Sequence, residues 1–233
     1  MTIYAIVPAR SGSVGIPDKN ILPIGGRPLI AHSIEFAKKI NVSRIFCSTD
    51  SEKYAEIAKE YGAEVPFLRS AEASSSTAME QHILSDLYAK FEQFGIPQPD
   101  LIVWLRPTFV FRNVLDVQRC IDILTEDPTY TSARTVCETE SRIYRISDQE
   151  LIPKFDDGGK SMIRRQDIGT HYKVYSTDVI RASNRNTGDD FLGNKVAAVV
   201  TNKLCGFDID DQMDFDIVNS ILTNNQSLIN AYT

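Results

Sequence analysis

Two short stretches carry side chains whose types and spacing could do chemistry. After an apolar run from Ile3 to Ala9 comes Arg10-Ser11-Gly12-Ser13-Val14-Gly15-Ile16-Pro17-Asp18-Lys19-Asn20. Gly12 and Gly15 permit positive φ and close backbone approach, so the loop's amides could cradle phosphate oxygens. Arg10 and Lys19 bracket the loop with fixed positive charge. The sequence is neither a Walker A loop, because no Gly-Lys-Ser/Thr follows, nor Gly-x-Gly-x-x-Gly. An ordinary strand-to-helix turn, with solvated charges and glycines that serve backbone geometry alone, fits the same residues. The second stretch is Gly206-Phe207-Asp208-Ile209-Asp210. In an extended segment residues two apart face one side, so Asp208 and Asp210 could present two carboxylates to a hard cation such as Mg²⁺. Acidity at a helix start explains the pair equally well. It suffices for Asp211, Asp214 and Asp216, which fall where negative charge offsets a helix dipole.

These stretches need a scaffold that brings residues 10–20 and 206–210 together. Ile3 to Ala9, Arg44 to Thr49 and Asp100 to Leu105 are apolar runs short enough for buried strands. Between and after them, Ile30, Ile34 and Ala37 form one helical stripe. Leu84, Leu87, Tyr88 and Phe91 form a second, and Val114, Val117, Ile121 and Leu124 a third. The alternation predicts βαβ units, a mostly parallel sheet and a Rossmann-like three-layer α/β sandwich. A loop after the first strand then sits at a strand's carboxyl end, where open α/β sheets bind ligands. From Thr139 to about residue 170 the rhythm breaks into two strand-like pieces and Asp-Asp-Gly-Gly, which predicts an inserted β-hairpin arm. Strands are expected again at Tyr172 to Thr177 and Lys195 to Val200, with a last helix from about Gln212. No linker divides residues 1–233, so the sequence predicts a single domain carrying an arm at 139–170.

Composition narrows the class. With 25 Lys and Arg against 31 Asp and Glu, the net charge is -6, whereas a bulk nucleic-acid binder draws its affinity from excess positive charge. Five of the negative charges lie between Cys205 and Asp216, where there is no Lys or Arg. The acidic balance is therefore local. Residues 160–173 carry a net positive patch from Lys160, Arg164, Arg165 and Lys173. No apolar run approaches the ~18 residues of a membrane helix. The first residues lack a basic segment followed by an apolar one, which predicts a cytoplasmic protein. Cys47, Cys120, Cys137 and Cys205 form no C-x-x-C pair and are expected as buried thiols. His32, His82 and His171 share no ligand spacing.

The stretch AIVPARSGSVGIPDKN closely resembles the signature loop of the CMP-sialic acid synthetases (acylneuraminate cytidylyltransferases), which share a nucleotidyltransferase fold with the CMP-KDO synthetases. The resemblance continues in order through Ser48-Thr49-Asp50, Leu105-Arg106-Pro107-Thr108 with Arg112, Arg165-Gln166-Asp167 and Asp208-Ile209-Asp210. It implies that CTP and a 2-keto sugar acid give CMP-sugar and pyrophosphate with Mg²⁺, by in-line attack on the α-phosphorus. On that likeness Arg10, Lys19 and Asp210 are catalytic, and Asp208 and Asp210 hold the metal. Gly12, Ser13, Gly15 and Asn20 shape the nucleotide loop. Arg69, Thr77, Arg106 and Thr108 bind substrate, together with Arg165, Gln166 and Tyr175. The arm implies a homodimer.

The departures fall on substrate positions. Val14 stands where the family loop usually has Lys, and Ser75-Ser76-Thr77 replaces Ser-Asp-Thr. Arg106 replaces Gln, Phe109-Val110-Phe111 replaces Ser-Pro-Leu, and Tyr175-Ser176 replaces Asn-Gly. A guanidinium at Arg106 would suit a carboxylate, phosphate or phosphonate. A phosphorylated sugar or phosphonate acceptor is thus one alternative, and a catalytically weak nucleotide-binding relative, motivated by Val14, is another.

Overall fold

The computed structural model describes residues 1–13, 15–140, 142–156, 158–159, 164, 167, 169–174, 176–186 and 191–232. The apolar run at the start forms β1 (Ile3–Pro8), buried on both faces because strands flank it and helices cover it. A small antiparallel ribbon, β2 (Pro23–Ile24) and β3 (Arg27–Pro28), leads into α1 (Leu29–Ala37). Then come β4 (Arg44–Ser48), α2 (Glu52–Glu60), α3 (Glu80–Gln93), β5 (Leu101–Leu105) and α4 (Val114–Glu126). The second half holds β6 (Ser132–Thr139), β7 (Tyr144–Ser147), β8 (Glu150–Pro153), β9 (His171–Lys173), β10 (Thr177–Arg181) and β11 (Val196–Thr201). It closes with α5 (Gln212–Asn224) and α6 (Gln226–Tyr232).

The main sheet runs β11-β6-β10-β5-β1-β4, with β9 paired to the far end of β6. It is mixed rather than mostly parallel. β1 is parallel to β4 and β5, and β11 to β6, but β10 is antiparallel to both neighbours. The reason is the connection: β10 is reached through the arm and β9, not through a crossover helix, so nothing holds it to the parallel direction. The predicted strand at Tyr172 to Thr177 is two strands. β9 ends at Lys173 and β10 begins at Thr177, and both pair with β6.

Alternation along β1 divides the core. Ile3, Ala5 and Val7 face a cluster built with Ile30, Ile34, Tyr54, Ala58, Val117 and Ile121 of α1, α2 and α4. Tyr4 and Ile6 face the opposite cluster, where Leu84, Leu87 and Phe91 of α3 meet Phe46, Ile102 and Trp104. Helices on both faces make the three-layer α/β sandwich. A third cluster matters most for the site: Ile16 and Ile24 pack with Val110, Ile209, Phe215 and Leu222. It fastens the acidic turn and α5 to the N-terminal loop. β7 and β8 form a separate hairpin whose two-residue turn places Asp148 and Gln149 at φ 49° and 71°. That left-handed pair fits the turn type matching strand twist. All four cysteines are buried and free.

Candidate active site

At the carboxyl ends of β1 and β5 lies a cavity of about 270 Å³. Arg10, Ser13, Lys19 and Asn20 line it from the loop, Arg69 from the segment after α2, Glu80 and Ile83 from α3, and Arg106 and Thr108 from beyond β5. The loop is tied down at both ends. The amide and hydroxyl of Ser11 donate to the two oxygens of Asp50, at 2.7 and 2.9 Å. The buried Asn20 donates through Nδ2 to the Arg10 carbonyl at 3.0 Å. Gly12 takes φ 65°, a left-handed conformation that costs a residue with a Cβ. Arg69 is buried and donates to the Ser48 hydroxyl and carbonyl at 3.0 and 2.6 Å. Burial lowers its pKa to about 10, opposed by the nearby Asp50, so it stays charged at neutral pH. Arg10, Lys19 and Arg69 make this side of the cavity cationic, which suits a polyanion.

The acidic turn meets this loop directly. Lys19 donates through Nζ to the Ile209 carbonyl, and the Ile209 amide donates to the Thr108 carbonyl at 3.1 Å. Gly15 lies against the Asp210 backbone so closely that a Cβ would overlap the Asp210 carbonyl oxygen. Asp208 is half-buried, and burial pushes its carboxyl pKa up, with a Thr108 hydrogen bond acting the other way. Its Oδ1 is buried without a hydrogen-bond partner among the described residues. Asp210 is exposed beside it. Asp208 lines a second, separate cavity of about 420 Å³, shared with Glu138, Lys173, Lys203 and Asp214. Lys173 reaches this turn by donating to the Gly206 carbonyl at 3.0 Å. Asp211 and Asp214 are occupied elsewhere: Asp211 caps α5 by accepting the Asp214 amide at 3.0 Å, and Asp214 accepts the amides of Asp210 and Asp211. Asp216 accepts from Gln212 one turn back, at 2.8 Å. Among the described residues no group of three or more His, Cys, Asp or Glu could hold a metal alone. An orphaned carboxylate oxygen beside a second, exposed carboxylate fits Mg²⁺, which takes one or two carboxylates and completes its shell with phosphate and water.

Arg106 is not the loose cation that its sequence position suggests. Its Nη1 donates to Asp178 Oδ2 at 2.8 Å and its Nε to Glu80 Oε1 at 3.0 Å. Asp178 Oδ1 accepts from Arg134 Nε at 2.8 Å. Register explains the row: Asp178 on β10 stands between Trp104 on β5 and Arg134 on β6. Burial by itself would lower the Arg106 pKa, but the Asp178 and Glu80 carboxylates outweigh it and hold the guanidinium above its ordinary value. Arg112, fully buried, donates to the Arg106 carbonyl, the Thr177 hydroxyl and the Ser33 hydroxyl. Burial brings its pKa down to about 9.

The structure thus brings together Arg10, Ser13, Lys19, Asn20, Arg69, Arg106 and Thr108 on one cavity, while Gly15, Asp208 and Asp210 lie outside its lining, joined to it through the backbone contacts of residues 209–210 with Lys19, Gly15 and Thr108. Thr77 is exposed, its hydroxyl 3.3 Å from that of Ser75, and it does not line the cavity. Val14, Arg165, Gln166 and Tyr175 lie outside the described residues. Sequence reasoning missed Glu80, Lys173 and Asp178 as site residues. Asp178 left little signal, because β10 reads Thr-Asp-Val-Ile-Arg and only its place between β5 and β6 shows that the acid is buried and needs a partner.

Comparison with known proteins gives a consistent assignment. The family model for cytidylyltransferases matches residues 4–175. A CMP-N,N'-diacetyllegionaminic acid synthase of Legionella pneumophila is 39% identical over 124 residues, covering 53% of each chain. A pseudaminic acid cytidylyltransferase of Campylobacter jejuni is 41% identical over 225 residues, covering 92% of this chain and 94% of its own. The match covers about half of the Legionella relative's length, and nearly the whole chain spans about half the length of several N-acylneuraminate cytidylyltransferases it also matches. A solved CMP:2-keto-3-deoxy-manno-octonic acid synthetase complexed with CTP shares the fold, with a TM-score of 0.70 at 15% identity, over 95% of this chain and 98% of that one. The cationic loop, the acidic turn packed against it and the family match agree, and the chain belongs to the cytidylyltransferase family.

Proposed function

We propose that the protein couples CTP to an acidic sugar of the 2-keto-3-deoxy class, giving a CMP-sugar and pyrophosphate. The observation that carries this reading is the contact between a cationic, cavity-lining loop and an acidic turn, with Lys19 and Gly15 both seated on the backbone of residues 209–210. Arg10, Lys19 and Arg69 hold the triphosphate and offset charge that grows on it during transfer. The loop amides around Gly12 and Ser13 orient the phosphates. A hydroxyl of the acceptor attacks the α-phosphorus in line. The new O–P bond forms as the α–β bridging bond breaks, pyrophosphate leaves with the electron pair, and the hydroxyl proton passes to solvent. The chain supplies position and charge, not a covalent nucleophile. Asp208 and Asp210 would hold Mg²⁺, which neutralises phosphate charge and makes a nearby hydroxyl more acidic.

The relatives named for legionaminic and pseudaminic acids support a sugar acid as acceptor. The alternative of a phosphorylated or phosphonate acceptor draws no support from these relatives, whose names specify sugar acids. The reading places the enzyme in the cytoplasm, with the CTP it draws on; no described helix is long and apolar enough to cross a membrane. A homodimer built on the hairpin accounts for the solvent-facing Ile146 and Leu151, 77% and 69% exposed and paired across β7 and β8. The test is pyrophosphate release from CTP and Mg²⁺ with a panel of nonulosonic acids and KDO. Turnover with at least one acid is expected, falling at least tenfold in Asp208→Asn, whose Mn²⁺ affinity also falls by direct titration. Folded protein silent across the panel refutes the reading.

A further inference from the structure

The Arg106 guanidinium has two carboxylate partners of unequal standing. Asp178 is 0% exposed and gives both oxygens to arginines, one to Arg106 and one to Arg134. Breaking that link would strand a buried charge, so it is permanent. Glu80 is 38% exposed, borders the cavity, and meets Arg106 through one oxygen at 3.0 Å. It also opens α3, where a helix dipole stabilises a negative charge even without an ion-pair partner. Glu80 can therefore leave Arg106 at little cost, and Asp178 cannot.

Resting on the acid-sugar reading, we propose that Glu80 is an internal stand-in for the acceptor's carboxylate, holding one edge of Arg106 until the substrate acid takes its place. The exchange is one carboxylate for another, so Arg106 stays neutralised throughout and Asp178 keeps the guanidinium in position. A neutral sugar has nothing to trade for Glu80 and leaves the pair closed. Glu80 thus lowers affinity for every acceptor that must reach Arg106, and only an acid recovers the loss. Specificity here comes from a contact that the wrong ligand cannot displace.

The test uses Glu80→Gln, Arg106→Gln and the double variant. The Arg106 Nε–Hε NMR cross-peak, assigned by its disappearance in Arg106→Gln, is followed during acetate titration. A partly exposed ion pair of this kind corresponds to a factor of about two to five, so acetate should shift the peak at two- to fivefold lower concentration in Glu80→Gln. The acceptor KM should fall by the same factor with the KM for CTP unchanged, and the gain should vanish in the Arg106→Gln background. An unchanged acetate midpoint overturns the proposal, as does a gain that persists without Arg106. If no acid sugar turns over with the wild type, the acid-sugar reading fails separately, because acetate still reports whether Glu80 competes for Arg106.

Discussion

Replacing Gly15 with Ala tests the junction on which the site is built. The backbone of Gly15 is not left-handed, so what it needs is space, and the added Cβ would overlap the Asp210 carbonyl oxygen. A backbone oxygen cannot rotate away as a flexible side chain would. Ile209 of the turn and Ile16, next to Gly15 in the loop, are both buried in one cluster with Val218 and Leu222, so neither side moves freely. If both sides hold, overpacking costs about 1–3 kcal/mol, which for a chain of this size lowers Tm by about 2–4 °C per kcal/mol. If the loop yields, Arg10 and Lys19 move relative to the acidic turn, and a displacement near 1 Å costs about 100-fold in rate. Gly12→Ala is the control. Its Cβ would meet nothing within 4 Å, so only the left-handed backbone at φ 65° is strained, for about 1–2 kcal/mol. Thermal melts and pyrophosphate-release kinetics separate the two variants: Gly12→Ala loses Tm and raises the KM for CTP through its phosphate-facing amides, and Gly15→Ala loses kcat. A Gly15→Ala protein with wild-type Tm and kcat would refute the close packing of loop against turn.

Two further outcomes follow from groups away from the chemistry. His32 is buried with its Nε2 2.9 Å from the Ile24 carbonyl, and burial, partly offset by that hydrogen bond, lowers its pKa from 6.5 to about 4. The unfolded chain binds this proton first, so the stabilisation is complete above pH 6.5 and is lost as pH falls from 6.5 toward 4, by about 3 kcal/mol. Urea melts across that window should show a steeper loss for the wild type than for His32→Gln. On the hairpin, Ile146→Asp with Leu151→Asp should turn a dimer into a monomer at micromolar concentration without lowering Tm of the sandwich, as read by analytical ultracentrifugation. A dimer that survives both charges removes the hairpin from the interface.

What the sequence made legible was local. β1, β4 and β5 stand out as apolar runs because strands covered on both faces carry little else. The loop and the acidic turn are recognisable because their chemistry lies within a dozen consecutive residues each. β6 escaped notice because its inward residues include Ser132 and Thr135, which break the run, although both are buried. α2 shows only Tyr54, Ala55 and Ala58 as its buried face, too small a stripe to stand out. The direction of β10 could not be read, because a strand's orientation is set by its connection and not by its composition. For the same reason Arg106 looked free: its partners come from 26 and 72 residues away. A side chain's type shows what it can bind, while the fold decides what it already holds.

The insertion of β10 between β5 and β6 bears on how the molecule assembles. β5 and β6 are consecutive strands of the main sheet in the chain, separated only by α4, yet they are not neighbours in it. During synthesis the β4-β1-β5 half, with the loop of residues 10–20 already at its edge, can pair as soon as residue 105 is made. The wall bearing Asp178 must wait for Arg181, after the entire arm. Until then β5 shows an unpaired edge, the state in which strands pair wrongly with other chains. The late strand that completes the sheet therefore also completes the Arg106 clamp, and the turn at residues 209–210 that seats Lys19 is made later still, so both contacts that frame the cavity are among the last to form.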